Sequence, residues 1–251
     1  MFNEGVRIEQ VFRDGESKTI FDNVAKDVPF CIFVDGLPFR TLISSPNQYR
    51  ELTIGHLFTE GVIKSLDDIA KESIKSDRGD IELVEPFNFN DFTLNRDRVL
   101  TTACNIDVMK NDILKEIKVH ESSPPSHKLI FDIIYRLNKE TPSYRATGGT
   151  HSAILSCPQT NYSVCAEDVG RHNAVDKVLG AGLIEGVWFS DCILASSGRL
   201  SGEIMLKAAR AGVPDVCSVS APLVAGINVA HQTGVRLYGF VRGKRLNKYL
   251  P

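Results

Sequence analysis

Ala166-Glu167-Asp168-Val169-Gly170-Arg171-His172-Asn173-Ala174-Val175-Asp176-Lys177 is the stretch with the densest mixture of ionisable and amide side chains in this sequence. It continues an apolar run that begins at residue 162 and crosses a glycine, which predicts a strand, a turn and a helix. Residues four apart share a helix face, so His172 pairs with Asp176 and Asn173 with Lys177. We expect this helix to bury its aliphatic side and to present its charged side. His, Asn and Asp are poor to middling helix formers, so propensity does not explain their choice, and a binding site is favoured over a solvated face.

Strands and helices alternate around this stretch. The predicted elements are helix 126–139, strands 150–156 and 162–167, helix 171–183, strand 191–196, helix 200–211, strand 215–220, helix 222–232 and strand 235–241. This alternation predicts an α/β fold with a largely parallel sheet that helices cover on both faces.

The preceding part of the chain predicts a smaller, strand-rich α+β domain. Residues 5–45 have the pattern of several strands, with turns at Asp14-Gly15 and Asp35-Gly36. A helix should open after residues 45–47 and stop at Gly61, and short strands are expected at 81–84 and 91–94. The linker pattern Ser122-Ser123-Pro124-Pro125 predicts two domains, residues 1–122 and 123–251.

Composition excludes several classes of protein. With 43% hydrophobic and 24% charged residues the chain resembles an ordinary globular protein, and its net charge of -2 gives no general attraction to nucleic acids or membranes. The N-terminus lacks the basic start and apolar run of a signal peptide, and no run has membrane-spanning length. We therefore expect a cytoplasmic protein without nucleic-acid or membrane partners.

The six cysteines are expected to be reduced, because no export signal precedes them. No pair has Cys-x-x-Cys spacing, so a zinc site has little support. Most of these cysteines lie in or beside predicted strands and are expected to be small core residues, namely Cys31, Cys157, Cys165, Cys192 and Cys217. Cys104 differs because it follows a short strand among hydroxyl and amide side chains, in a predicted loop where a reactive group can be presented.

Residues 167–177 resemble the signature of the FdhD/NarQ family of formate dehydrogenase accessory sulfurtransferases. The resemblance covers most of the chain. Residues 45–63 resemble the family's N-terminal helix, residues 148–153 its Gly-Gly-x-His-x-Ala pattern, and residues 196–203 its Ser-x-Gly-Arg-x-Ser-x-Glu pattern. It implies a three-layer, cytidine-deaminase-like fold for the C-terminal domain.

The resemblance also places Cys104 on the first cysteine of the family's Thr-Thr-Ser-Cys-Gly-x-Cys stretch. Asn105 stands where the family has glycine, and Asp107 stands where it has the second cysteine. A mechanism that hands sulfur between two thiols is therefore disfavoured, whereas a mechanism that needs one persulfide is retained.

The candidate cofactor-binding residues follow from strand ends and from the resemblance. Ligands of open α/β sheets lie beyond the carboxyl ends of strands, where the Gly-Ser turn around Arg199 suits a phosphate or pyrophosphate. The resemblance implies that the basic stretch from Phe240 to Arg245 binds a guanine-containing molybdenum cofactor. The full candidate set is His151, Asp168, Arg171, His172, Asn173, Asp176, Lys177, Ser197, Gly198, Arg199, Ser201, Glu203, Phe240, Val241, Arg242, Gly243, Lys244 and Arg245, with Arg171, Arg199 and Arg242 expected on pyrophosphates and Asp176 or Glu203 on the guanine edge.

The function that the resemblance implies is sulfur transfer. Cys104 would receive sulfur from a cysteine desulfurase as a persulfide and pass it to a molybdenum bis(molybdopterin guanine dinucleotide) cofactor, for which a guanine nucleotide would substitute as ligand. Formate dehydrogenase or another molybdoenzyme would be the recipient, and a homodimer is implied. The alternative is a non-enzymatic carrier or chaperone of the same cofactor. A zinc deaminase is disfavoured, because Ala153 stands where those enzymes carry glutamate after His-x.

Overall fold

The computed structural model describes residues 2–89, 114 and 116–249. The predicted strand 91–94 and the Cys104 loop lie outside these residues. The described chain forms three sheets and six α-helices. The hydrophobic core lies between the helices and the two larger sheets.

The largest sheet has the strand order β12-β11-β10-β9-β7-β8. Its strands are β7 (His151–Cys157), β8 (Tyr162–Asp168), β9 (Ile193–Ser196), β10 (Asp215–Ser218), β11 (Arg236–Arg242) and β12 (Arg245–Tyr249). Strands β9, β10 and β11 are parallel neighbours, whereas β7 runs against β8 and β9, and β12 runs against β11. Strands β8, β9, β10 and β11 therefore point the same way, as expected. Only the β9–β10 and β10–β11 pairings are parallel. Strand β12 was not predicted, because its basic sequence has no apolar alternation.

Helices cover both faces of this sheet. On one face lies α2 (His127–Lys139), whose first turn is capped by the Ser126 hydroxyl and whose buried isoleucines pack against β7, β9 and β10. On the other face lie α4 (Arg171–Ile184), α5 (Gly202–Ala211) and α6 (Val224–Thr233). A short helix, α3 (Pro142–Thr147), precedes β7 and was also not predicted. The layers agree with the predicted α/β class, and the cytidine-deaminase-like topology remains a prediction.

The N-terminal residues build two smaller sheets and one helix. Strands β1 (Asn3–Val11) and β2 (Ser17–Ala25) form a separate hairpin, and a four-stranded sheet has the order β4-β3-β6-β5. Its strands are β3 (Val28–Val34), β4 (Leu37–Ser44), β5 (Ile69–Ile74) and β6 (Arg78–Leu83), and α1 (Tyr49–Glu60) lies between β4 and β5 in the chain. The β3–β4 turn has positive φ at Asp35 (50°) and Gly36 (78°), which confirms the hairpin turn predicted there.

Two glycines bring α1 and α4 into very close contact. A Cβ atom on Gly55 would lie 1.8 Å from the Asp176 carbonyl oxygen, and one on Gly180 would lie 2.0 Å from the Glu51 carbonyl oxygen. No other residue type fits at this crossing. One hydrophobic cluster consequently includes Phe30 of the small sheet and Leu194 of the large one. The domain boundary near residue 122 remains a prediction.

Cysteine pairing differs from the expectation of reduced thiols. Cys157 and Cys192 form a disulfide, because residue 157 ends β7 and residue 192 immediately precedes its neighbour β9. Both are buried, as is Cys217, whereas Cys31 and Cys165 are half-buried rather than fully in the core.

Candidate functional site

The candidate residues meet at the edge of the large sheet where β8, β9, β10 and β11 end. His151 reaches the same edge because β7 runs in the opposite direction, and it pairs with Asp168 at the end of β8. We call this edge the mouth and define it by its partly exposed side chains, His151, Arg171, His172, Ser197, Arg199, Glu203, Phe240 and Arg242.

The loop after β9 is held by its own hydrogen bonds. The Ser197 hydroxyl accepts from the Ser152 amide at 2.9 Å and lies 3.3 Å from His151 Nδ1. The Ser197 amide donates to the Ser152 carbonyl, and the Gly198 amide donates to the Ser196 hydroxyl. The amides of Ser197 and Gly198 are therefore already occupied and are not free to donate to a phosphate.

The Ser201 hydroxyl is also occupied by a hydrogen bond within its own segment. It is the N-cap of α5, and its hydroxyl accepts from the Ile204 amide. A capping hydroxyl that is 2% exposed is poorly placed to bind a ligand. From this segment, Arg199 remains exposed and Gly198 packs against Arg171, since a Cβ at Gly198 would lie 2.8 Å from Arg171 Cβ.

The first turn of α4 concentrates positive charge where a helix favours negative charge. Gly170 supplies no side-chain cap, no acidic residue lies in this turn, and Arg171 and His172 are its first residues. Cations at a helix N-terminus are opposed by the helix dipole. Within the described chain, Arg171 Nε is buried and lacks a hydrogen-bond partner, so this turn has the charge and the donors for an anion.

The pKa values at the mouth agree with an excess of positive charge. Burial, followed by repulsion from Arg199, lowers the pKa of Arg171. The pKa of His151 is also lowered, by burial first and then by Arg171 and His172. An anion bound among these groups would relieve their mutual repulsion.

Glu203 is the carboxylate that faces this cluster. Its Oε2 lies 3.0 Å from His172 Nε2, in the geometry of an ion pair rather than of a well-directed hydrogen bond. This contact is the main cause that lowers the pKa of Glu203, and Lys207 and Arg171 contribute. Its side chain remains 57% exposed, so it keeps acceptor capacity for a ligand.

Phe240 lies at the other side of the mouth in a strained conformation. Its φ of 50° is in the left-handed region, at the irregularity in the β11–β12 pairing between Gly239 and Arg242. The Phe240 amide donates to the Ser220 carbonyl, and Arg242 Nε donates to the Val219 carbonyl. The Arg242 guanidinium lies 5.9 Å from the centre of the half-buried Phe240 ring. Backbone strain of this kind is common at binding sites, and an aromatic ring beside a cation suits a planar base.

Ser218, the last residue of β10, and the following Val219 and Ser220 lie beside the mouth and were not among the candidates. These residues lay within the predicted strand 215–220, so no sequence signal indicated a loop here. The Ser218 hydroxyl donates to the Gly198 carbonyl at 2.7 Å, which ties two of the loops together.

The remaining candidates among residues 240–245 differ in their exposure to solvent. Val241 is fully buried, whereas Gly243, Lys244 and Arg245 form the exposed turn into β12.

Several candidates lie in the interior rather than at the mouth. Asp168 and Lys177 form an ion pair of 2.6 Å in which neither side chain is exposed. The other oxygen of Asp168 accepts from the Asn173 amide at 2.9 Å. Lys177 also donates to the Asn47 side chain at 2.7 Å, so these residues fasten α4 to the segment that precedes α1. The charged side of α4 is therefore buried rather than presented, contrary to our expectation.

Asp176 is equally enclosed. Its carboxylate, 1% exposed, accepts hydrogen bonds from Thr59 and Lys207 and lies 2.9 Å from His56 Nδ1. Burial alone would raise its pKa, but Lys207 and His56 hold the pKa below the usual range. Glu203, and not Asp176, is the carboxylate that remains accessible to a guanine edge.

Cys104 lies outside the described residues. Within the described part of the chain, no group of three histidine, cysteine or acidic side chains could hold a metal ion, and no helix is both long and apolar enough to cross a membrane.

Comparison with known proteins gives one consistent result. The family model described as the FdhD/NarQ family matches residues 25–251. A relative from Bacillus pumilus, named sulfur carrier protein FdhD, is 34% identical and covers 97% of this chain and 94% of its own. A protein of the same name from Sulfurisphaera tokodaii is 32% identical, over 91% of this chain and 89% of its own.

A solved structure shows the same fold. It comes from Desulfotalea psychrophila and is described as that of a formate dehydrogenase accessory protein. It superposes with a TM-score of 0.81 at 23% identity and covers 100% of this chain and 98% of its own. The match of the family model over most of the sequence, together with these relatives, shows that the chain belongs to the FdhD/NarQ family.

Proposed function

We propose that this protein is a sulfur carrier in the maturation of a molybdoenzyme. It accepts sulfur as a persulfide on Cys104 from a cysteine desulfurase and delivers it to a molybdenum bis(molybdopterin guanine dinucleotide) cofactor bound at the mouth. Relatives named sulfur carrier protein FdhD and the structural neighbour described as a formate dehydrogenase accessory protein support this role, with formate dehydrogenase as the expected recipient.

The observation that carries the cofactor part is the first turn of α4. Arg171 and His172 lie at an uncapped helix N-terminus, and Arg199 adds a third basic group. A pyrophosphate would neutralise the two arginines and accept from the partnerless Arg171 Nε. Phe240 and Arg242 would contact a planar guanine.

The described free thiols leave Cys104 as the best candidate for sulfur transfer. Burial raises the pKa of Cys165 to about 12 and raises that of Cys217 as well, so both are poor nucleophiles at neutral pH. Cys157 and Cys192 are joined in a disulfide. Cys31 is half-buried on β3 of the four-stranded sheet and serves as the control thiol.

Intact-protein mass spectrometry tests the sulfur part. The protein is incubated with a cysteine desulfurase and cysteine, and a reducible adduct of about 32 Da, one sulfur atom, is expected. Cys104→Ala should lose the adduct, and Cys31→Ala should keep it. Equal labelling of wild type and Cys104→Ala, or no labelling of either, would contradict sulfur carriage by Cys104.

A cofactor chaperone without persulfide chemistry is the second candidate, favoured by Asp107 at the place of the family's second cysteine. It predicts that Cys104→Ala still supports activation of an apo-formate dehydrogenase by the supplied cofactor. The sulfur carrier predicts loss of activation with nucleotide binding intact. We also expect a homodimer, which sedimentation velocity would detect.

A further inference from the structure

The N-terminal hairpin of β1 and β2 stands apart from the hydrophobic core. Its strands pair along their whole length, from Asn3 with Ala25 at the base to Val11 with Ser17 near the tip. Within the described chain, none of its side chains belongs to either hydrophobic cluster. A two-stranded sheet is at best marginally stable in water by itself, so a ribbon of this length needs a partner on one of its faces.

One face of the hairpin is apolar at its centre. Because of the pairing register, the even-numbered residues 4–10 and 18–24 point to the same side of the ribbon, which we call the even face. Ile8 lies opposite Ile20 at its centre, and both are half-buried. Val6 and Val24 extend the apolar area towards the base and are 41% and 44% exposed.

The odd-numbered residues form a face that is occupied by local contacts. The Ser17 hydroxyl donates to the Glu9 carboxylate at 2.6 Å. The Phe21 side chain is 76% exposed but lies over Gly5, where a Cβ atom would be 3.9 Å from the ring. Most other residues of this face are polar and exposed, so the even face is the better surface for a protein partner.

The charges of the even face are complementary to those of a second copy. Lys18 and Asp22 lie on either side of Ile20 along β2, each about 7 Å from it. Lys18 pairs across the ribbon with Gln10 and therefore has no opposite charge there. Asp22 pairs with Val6 and has none either. When two even faces stack about a two-fold axis that crosses the strands at Ile20, Lys18 of each copy lies over Asp22 of the other.

The other two-fold arrangement of these faces is unfavourable. With the axis along the strands, Asp22 of one copy would lie over Val6 of the other, and Val24 would lie over Glu4. Carboxylates would then be covered by apolar side chains without a cation, which is costly. The axis across the strands instead stacks the isoleucines on each other.

We propose that the even face is an interface between two copies of this chain, related by a two-fold axis across the strands. Ile8 and Ile20 of both copies form its centre, and two Lys18–Asp22 pairs flank them. The inference rests on the homodimer that we expect with the proposed function, and it names the surface. A ribbon face of about 30 Å by 10 Å is at the small end of protein interfaces, so we expect a micromolar Kd.

Sedimentation velocity of the full-length protein between about 1 and 200 µM tests this interface. Lys18→Glu and Asp22→Lys should each raise the dimer Kd about tenfold, because each change places two like-charge pairs at the interface. An equimolar mixture of the two variants should form a heterodimer with a Kd within about threefold of wild type, since both of its contacts then join opposite charges. Lys18 and Asp22 are about 13 Å apart on one strand, so this rescue arises only between copies.

Arg7→Glu is the matched control, because it makes the same charge reversal at an exposed residue of the odd-numbered face, and it should keep the wild-type Kd. Single variants that dimerise like wild type would overturn the proposal and leave the homodimer on another surface. A mixture that stays as weak as the single variants would also overturn it. A wild type that is monomeric at every concentration would overturn both this interface and the expected homodimer. Failure of sulfur carriage is distinguished by the persulfide adduct, since the hairpin variants leave Cys104 unchanged.

Discussion

Replacing Lys177 by methionine tests whether the buried part of α4 contributes to stability and not to ligand binding. Lys177 is fully buried, and its ammonium group lies 2.6 Å from Asp168 and 2.7 Å from Asn47. Methionine fills a similar volume but leaves the buried Asp168 carboxylate without its cation. Removing one partner of a buried ion pair costs about 3–5 kcal/mol. Asp168 keeps its donors from Ser45, Gly170 and Asn173, so we expect about 3 kcal/mol.

Urea unfolding followed by far-UV circular dichroism would measure this loss, which for a chain of this length corresponds to a fall of about 6–12 °C in Tm. Calorimetric titration with GDP at low temperature should give a Kd within about threefold of wild type. The control is Arg199→Met, a change of an exposed residue at the mouth. It should leave the free energy of unfolding within about 0.5 kcal/mol of wild type. It should weaken the affinity for GDP about tenfold, through the loss of a charge-assisted hydrogen bond. The reasoning is refuted if Lys177→Met has the free energy of unfolding of the wild type and no longer binds GDP, because Lys177 would then contact the ligand.

Three further outcomes are expected. Gly180→Ala should cost about 3 kcal/mol or more in urea unfolding, since its Cβ would lie 2.0 Å from the Glu51 carbonyl oxygen, whereas Gly5→Ala, whose Cβ meets nothing closer than 3.9 Å, should be nearly neutral. His151 has a lowered pKa in the free protein, and a bound phosphate should raise it. Binding then takes up a proton, so GDP affinity should rise as pH falls from 7.5 to 6, by at most about tenfold per pH unit, and His151→Gln should flatten the profile. Phe240→Gly should weaken GDP binding by about 1–3 kcal/mol through lost stacking without lowering Tm, because glycine adopts the φ of 50° more easily; unchanged affinity would exclude Phe240 as the base platform.

The order of elements in the C-terminal half could be predicted because the apolar strands β8, β9 and β10 are each followed by a segment of helix length. Strand β8 and helix α4 lie within one or two residues of the predicted bounds. Strand β12 could not be predicted, since its residues Arg245–Tyr249 are mostly basic and polar and gain their place by pairing with β11. The disulfide could not be predicted either, because Cys157 and Cys192 become neighbours only when β7 pairs with β9.

The mouth was predicted in part. Arg171, Arg199 and Phe240 all lie at strand ends, where general rules for α/β sheets place ligands. The assignment of Asp168, Asp176 and Lys177 to the same site rested on a predicted charged helix face and on the family resemblance, and the structure instead encloses them. What the sequence could not supply was the distance between α1 and α4, which depends on two glycines 125 positions apart.

That distance explains why one short stretch carries so many ionisable residues. A helix with one neighbour buries one face, but α4 has the sheet on one side and α1 pressed against the other, so its second and third turns have no solvated side. Charged residues in those turns must be paired inside the protein, as Asp176 is with Lys207 and Lys177 with Asp168. Only the first turn, with Arg171 and His172, reaches the mouth. The density of the stretch thus has two sources, the paired residues of the interior and the basic residues that reach the mouth. Substitutions along α4 should accordingly sort by helical turn rather than by residue type, with loss of ligand in the first turn and loss of stability in those that follow.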